Sequence, residues 1–252
     1  MTSFQGETLT QAAEQVLGIL AGGRGAVEGC LAADVRAWLA TPEQGVVAAI
    51  QTLSGAEAVA AALACLAPAN FEVLGAVSSD DACWAEVARR GNGEAETCIA
   101  GLTYGPGGQV SRFVLLRAPL VPRRAVDAGE AVPDARPILE RYFADLQRSR
   151  FREAAAHFSA DAVYSHPPYG GGTERVLFEG RDALWRGFAV DRGPSPARQI
   201  MTGLWQQDDR VFVEGAIDGI PDGGTFFSTA QIDTGGEIAR YVAFYSATRI
   251  PT

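Results

Sequence analysis

Gly236-Glu-Ile-Ala-Arg-Tyr-Val-Ala-Phe244 follows the turn Asp233-Thr-Gly-Gly236 and decides how the chain is read. A glycine-rich turn followed by β-branched and aromatic residues predicts a strand. Nearly the same pattern stands in the first half. There Gly105-Pro-Gly-Gly108 leads into Gly108-Gln-Val-Ser-Arg-Phe-Val-Leu-Leu116. Trp84-Ala-Glu86 likewise matches Phe212-Val-Glu214. Two matched strands in the same order predict an internal duplication.

Working outward through the second half, Asp134 is a candidate helix cap, and Ile138, Leu139, Tyr142, Phe143 and Leu146 have helical spacing. Phe151 to Phe158 predicts a second, shorter helix. Ala162 to Ser165 begins a strand, and Pro167-Pro-Tyr-Gly-Gly-Gly172 reads as a loop that could act as a lid. Arg181 to Phe188 predicts a third helix. Strands follow at Gln199–Gln206, Arg210–Ile217, Thr225–Ile232 and Ile238–Thr248. The first half repeats this order. Helices are expected over Thr10–Leu20, Gly29–Ala37 and from Ser54 to about Leu66. Strands are expected at Phe71–Ala76, Ala82–Ala88, Ala95–Tyr104 and Gln109–Leu116.

Between the halves, Ala118 to Pro133 is rich in proline and charge and has no period, which discourages helix and central strand. The expected division is a first domain over 1–119, a linker over 120–134 and a second domain over 135–252, each domain of ordinary size.

Composition narrows the function classes. At 47% apolar and 20% charged residues, there is ample material for a core. A net charge of −9 works against nucleic-acid binding, which needs a basic face. None of the four cysteines forms a C-x-x-C pair, and only His157 and His166 are histidines, so no metal site is expected. Without an N-terminal leader pattern or a long apolar run, the expected location is the cytoplasm, away from membranes.

The motifs Arg141-Tyr-Phe-Ala-Asp-Leu146, Phe158-Ser-Ala-Asp-Ala-Val-Tyr-Ser-His-Pro167, Phe178-Glu-Gly-Arg-Asp-Ala-Leu184 and Gly235-Gly-Glu-Ile-Ala-Arg-Tyr241 stand in a fixed order. In that order the second half resembles the nuclear transport factor 2-like superfamily, in its SnoaL-like and ketosteroid-isomerase-like branch. The first half resembles it more diffusely. The resemblance implies an α+β fold of two cone-shaped domains, each a curved antiparallel sheet wrapped around helices, packed as an intramolecular pseudo-dimer; a further homodimer is open. It also implies an apolar small-molecule pocket without an organic cofactor. Isomerase, cyclase, dehydratase, non-catalytic binding and assembly roles all remain open on this fold.

The same resemblance places a pocket tyrosine at Tyr142 and a base at His166, where a carboxylate is usual, and a second polar position near Ser228. A neutral imidazole can accept a proton at physiological pH, and a phenol can donate to a developing enolate. Tyr164, Tyr169, Trp185, Trp205, Phe226, Tyr241 and Tyr245 are the expected ligand-binding wall, Tyr241 and Tyr245 sharing one face of the last strand. Glu214 is expected to be an exposed strand residue. In the first half Leu39 lies opposite His166 and Arg117 opposite Tyr245, so that pocket is expected to be degenerate.

Overall fold

The structure is a computed structural model. It describes residues 14, 16–20, 24–40, 50–65, 70–91, 94–124, 131–169, 172, 174–221, 223–247 and 249–251. These fall into two compact units that divide between Val121 and Pro122.

In the first unit, α1 (Arg24–Cys30) runs directly into β1 (Leu31–Ala40), followed by β2 (Ile50–Ser54) and α2 (Ala56–Ala64). Then come β3 (Asn70–Ser78), β4 (Ala82–Gly91), β5 (Glu94–Tyr104) and β6 (Val110–Pro119). The sheet order is β2-β1-β6-β5-β4-β3. The expected helix over Gly29–Ala37 is corrected: the helix stops at Cys30. From Val35 onward Val35, Ala37 and Leu39 enter the core at strand spacing, while Arg36 stays exposed. That period of two decides the element. Most of the expected Thr10–Leu20 helix lies outside the described residues, although residues 16–20 are helical.

The second unit repeats the plan. Its elements are α3 (Ala135–Gln147), α4 (Phe151–Ala156), β7 (Phe158–His166), β8 (Val176–Glu179) and α5 (Arg181–Gly187), which widens into a π-turn over Phe188–Arg192. β9 (Arg198–Gln207), β10 (Arg210–Asp218), β11 (Gly224–Ile232) and β12 (Ile238–Ser246) complete a sheet of order β8-β7-β12-β11-β10-β9. That order is the first sheet's, strand for strand. Each sheet is mixed rather than wholly antiparallel, because β7 pairs in parallel with β12, and β1 with β6.

The Asp134 carboxylate caps α3 by accepting from the Arg136 N–H at 3.0 Å. The helix lays Ile138, Leu139, Tyr142, Phe143 and Leu146 against the sheet. α5 packs closely over β8: a Cβ added at Gly187 would lie 2.2 Å from the Phe178 ring.

The start of the expected linker is tied to the second sheet. The Arg124 N–H donates to Gln231 Oε1 at 3.0 Å, and Arg240 Nε donates to the Pro122 carbonyl at 3.0 Å. Arg123 pairs with Asp209 at 3.3 Å, and Arg124 with Asp161. Residues 125–130 lie outside the described residues. Among the described residues, no helix is long and apolar enough to cross a membrane.

Candidate functional site

The site is built by alternation on two neighbouring strands. On β7, Tyr164 and His166 face inward and Ser165 faces away; on β12, Tyr241 and Ala243 face inward, and Tyr245 packs beside them. The parallel register sets Tyr241 opposite Tyr164, with ring centroids 5.4 Å apart and planes 9° from parallel. α3 brings Tyr142 across this pair, edge-on to Tyr241 at 5.7 Å and to Phe158 at 5.0 Å. After β7 the chain turns at Pro167 and Pro168. Tyr169 thereby comes back over His166, with ring centroids 4.5 Å apart.

These residues surround a cavity of about 250 Å³. Tyr142, Tyr164, His166, Tyr169, Tyr241 and Tyr245 line it, together with Phe226 from β11. Three hydroxyls form a chain. Tyr142 donates to Tyr164 at the long distance of 3.5 Å, and the Tyr164 and Tyr169 hydroxyls are 2.9 Å apart. Tyr142 and His166 thus share one cavity, with Tyr164 and Tyr169 between them.

His166 Nδ1 lies 2.7 Å from the Pro167 carbonyl. A carbonyl can only accept, so Nδ1 carries the proton and Nε2 keeps its lone pair. The ring retains some surface on the cavity yet is enclosed by protein. Burial pushes its pKa from 6.5 down to about 3; Arg175 and Arg192 add repulsion, and the Pro167 contact offsets part of the fall. The imidazole is therefore neutral at physiological pH. Burial also raises the Tyr142, Tyr164, Tyr169 and Tyr241 phenols, so all four keep their protons. For Tyr164 the rise is opposed by the hydroxyls of Tyr142 and Tyr169, which makes it the best placed of the chain to carry negative charge.

Three expected wall residues lie elsewhere, for local reasons. Trp185 sits on α5 where Leu184 and Phe188 take the inward positions; it is half-buried, with the Arg152 guanidinium 4.8 Å over its ring. Trp205 pairs with Phe212, on the sheet face opposite the inward Leu204 and Val213, and covers Gly203. Ser228 does share the inward face with Phe226 and Ala230. It lies beneath the cavity wall, fully buried, with its hydroxyl close enough to Tyr241 to oppose the rise of that phenol. Glu214 is not exposed as expected: it is 3% exposed on β10, on the face away from the cavity. Of the proposed lid, Gly170 and Gly171 lie outside the described residues, and the Gly172 N–H donates to the Tyr169 carbonyl at 2.9 Å.

Among the lining side chains that sequence reasoning missed are Arg192 at the end of the π-turn, Ser195 after it and Gln199 at the start of β9. Sequence reasoning also missed Arg175, which donates to Ser165 Oγ at 2.8 Å and to the Ala243 carbonyl. None stands in a motif; the π-turn that aims Arg192 has no sequence signature of its own. Among the described residues, no carboxylate lines the cavity. Among the described residues, no group of three or more His, Cys, Asp or Glu could hold a metal ion.

Comparison with known proteins finds a family model that matches part of the chain. Residues 139–246 match the SnoaL-like domain. Among solved structures, the chain is similar to a candidate ketosteroid isomerase from Kribbella flavida at 19% identity and a TM-score of 0.36, covering 47% of this chain and 82% of that one. It is similar to a bacterial protein with a cystatin-like fold from Silicibacter pomeroyi at 22% identity and a TM-score of 0.39, covering 46% and 78%. The epoxide hydrolase/cyclase-like enzyme SalBIII of salinomycin pyran ring formation aligns at 17% identity and a TM-score of 0.36, covering 44% and 90%. No curated protein matches. The second unit thus carries a SnoaL-like domain.

Proposed function

We propose that the second unit binds a small, largely apolar, carbonyl-bearing molecule and moves a proton next to its carbonyl, as an isomerase, cyclase or dehydratase would. One observation carries this reading. A neutral imidazole with Nε2 unprotonated shares a cavity with a chain of tyrosine hydroxyls, and among the described residues no carboxylate lines that cavity to act as base.

In the proposed step, His166 Nε2 takes a proton from the carbon beside the carbonyl. The C–H electron pair forms the new C=C bond, and the carbonyl π pair moves onto oxygen. If Tyr142 and Tyr169 both donate to Tyr164, the Tyr164 proton is left to hydrogen-bond the enolate oxygen; Tyr142 supports it from behind. The imidazolium then returns its proton to another carbon, or to a departing hydroxyl.

The first unit is proposed to be a degenerate, structural copy. Through the matched parallel pairs, Ala37 and Phe113 stand where Tyr164 and Tyr241 stand in the second unit. Leu39, one strand position beyond the Ser165 equivalent Trp38, takes the place of His166. Neither a base nor a hydroxyl is present at those positions. None of the four cysteines is in a disulfide, which suits a reducing compartment such as the cytoplasm.

The test is deuterium wash-in. A panel of aryl ketones, enones and β-keto esters is incubated with the protein in D2O, and exchange beside the carbonyl is followed by NMR. Exchange should fall by roughly 10²–10⁴-fold in His166→Gln, the usual scale for a lost general base. Unchanged exchange in that variant would refute the assignment. A second reading, binding without turnover, is favoured by the depressed His166 basicity alone. Saturable binding of panel members with no exchange in the native protein would select it.

A further inference from the structure

Arg192 lines the cavity, and its one hydrogen bond is from Nη1 to the Gly193 carbonyl at 3.0 Å. A guanidinium has five N–H donors, so four are left. Among the described residues it makes no ion pair, and no acid lines the cavity to neutralise it.

A second guanidinium nearby is in the same condition. Arg175 contacts Ser165 Oγ at 2.8 Å, the Ala243 carbonyl and, at 5.4 Å, the face of Phe244. All three are neutral. Burial pushes Arg175 down to about 10, the direction expected of a buried cation without a counter-ion. Both arginines are close enough to depress His166 and to act on Tyr164. Arg192 on the cavity wall and Arg175 beside it, with no acid among the described lining residues, leave positive charge that an anion would offset.

We propose that the cavity takes an anionic carbonyl compound, one carrying a carboxylate, with Arg192 as the group that grips it. This rests on the reading of the cavity as a carbonyl site and narrows the substrate class to keto acids with an apolar body. A guanidinium fork matches a carboxylate with two parallel N–H···O bonds, which fixes the molecule's orientation as well as its charge. The aromatic wall of Tyr142, Phe226 and Tyr241 holds the apolar end, and the carbonyl falls between His166 and the tyrosine hydroxyls. The anion also screens His166 from the two arginines, so binding makes Nε2 a stronger base. The substrate thereby completes the electrostatics of its own site.

The test uses the full chain and a matched pair of probes, 2-oxo-4-phenylbutanoate and its primary amide, titrated by calorimetry. The acid should bind at least about ten-fold more tightly than the amide, the scale of a charge-assisted pair. That preference should disappear in Arg192→Gln, and in Arg192→Lys it should shrink without vanishing. Equal binding of acid and amide, binding of neither up to millimolar concentration, or a preference that survives Arg192→Gln overturns the proposal. The native protein's acid/amide ratio decides even if Arg192→Gln does not fold. His166→Gln separates the two readings: it should abolish deuterium exchange yet leave the acid/amide preference in place.

Discussion

Titrating His166 puts the electrostatics of the cavity to a direct test. The structure holds the imidazole's pKa at about 3 against an ordinary 6.5, with burial as the main cause. The sign follows from linkage. Below about pH 6.5 an unfolded chain takes up this proton, whereas the folded protein refuses it until about pH 3, so acid favours the unfolded state. The contribution is nil at neutral pH and above, where both states are neutral. At about 1.36 kcal/mol per pH unit, the loss attributable to His166 is about 2 kcal/mol at pH 5 and approaches about 5 kcal/mol at pH 3. Carboxylates also titrate there, so the quantity to read is the difference between the native protein and His166→Gln. Amide exchange protection of β7 and β12 reports the second unit alone, which matters in a chain of two units. The native protein should lose about 2 kcal/mol more than the variant between pH 7 and pH 5. The His166 ring protons should show no titration step near pH 6.5. Parallel stability profiles, or an imidazole that titrates near 6.5, would refute the account of burial and arginine repulsion.

Other outcomes follow from the same contacts. Tyr164→Phe removes the hydroxyl shared by Tyr142 and Tyr169 and should lower stability by roughly 1–2 kcal/mol in denaturant unfolding. It should also slow any deuterium exchange by about 10²-fold or more, the scale of a lost oxyanion donor. All six tyrosines have raised pKa values, so absorbance near 295 nm should show little tyrosinate until well above pH 10. In that range the unfolded chain ionises first, and stability should fall as pH rises; a normal titration at pH 10 with the fold intact would contradict it. Gly187→Ala puts a methyl 2.2 Å from the Phe178 ring and should cost about 1–3 kcal/mol, read as a lower Tm. Asp145→Asn weakens the pair to His157 Nε2 at 2.8 Å and the pair to Arg150, and should cost about 1–3 kcal/mol; an unchanged Tm would show the cluster to be idle.

Much of the fold is legible from local chemistry. The cap at Asp134, the helical spacing from Ile138 to Leu146 and the alternation along Ile238–Ser246 each specify their element through short-range interactions. The duplication is legible for the same reason: both halves carry Gly-X-hydrophobic-X-Arg-aromatic-Val, and both sheets have one strand order. The element misread was Gly29–Ala37, where alanines suit a helix but tertiary pairing with β6 imposes a strand. Tyr142 and His166 stand out through the family resemblance, and Tyr241 through its shared strand face with Tyr245.

By itself, then, the sequence determined most of the elements, their repeated order and the shared face of Tyr241 and Tyr245, since all of these depend on residues a few positions apart. Only the tertiary structure decided what surrounds them. The parallel pairing of β7 with β12 stacks Tyr164 on Tyr241. The turn at Pro167 fixes which imidazole nitrogen holds the proton. The π-turn after α5 brings Arg192 to the same wall. Trp185 and Trp205 fall outside the cavity because burial is settled by which neighbour arrives first, not by side-chain size. The charge balance of the cavity, with Arg192 on its wall and no acid among the described lining residues, is a property of distant segments brought together, and no local pattern encodes it.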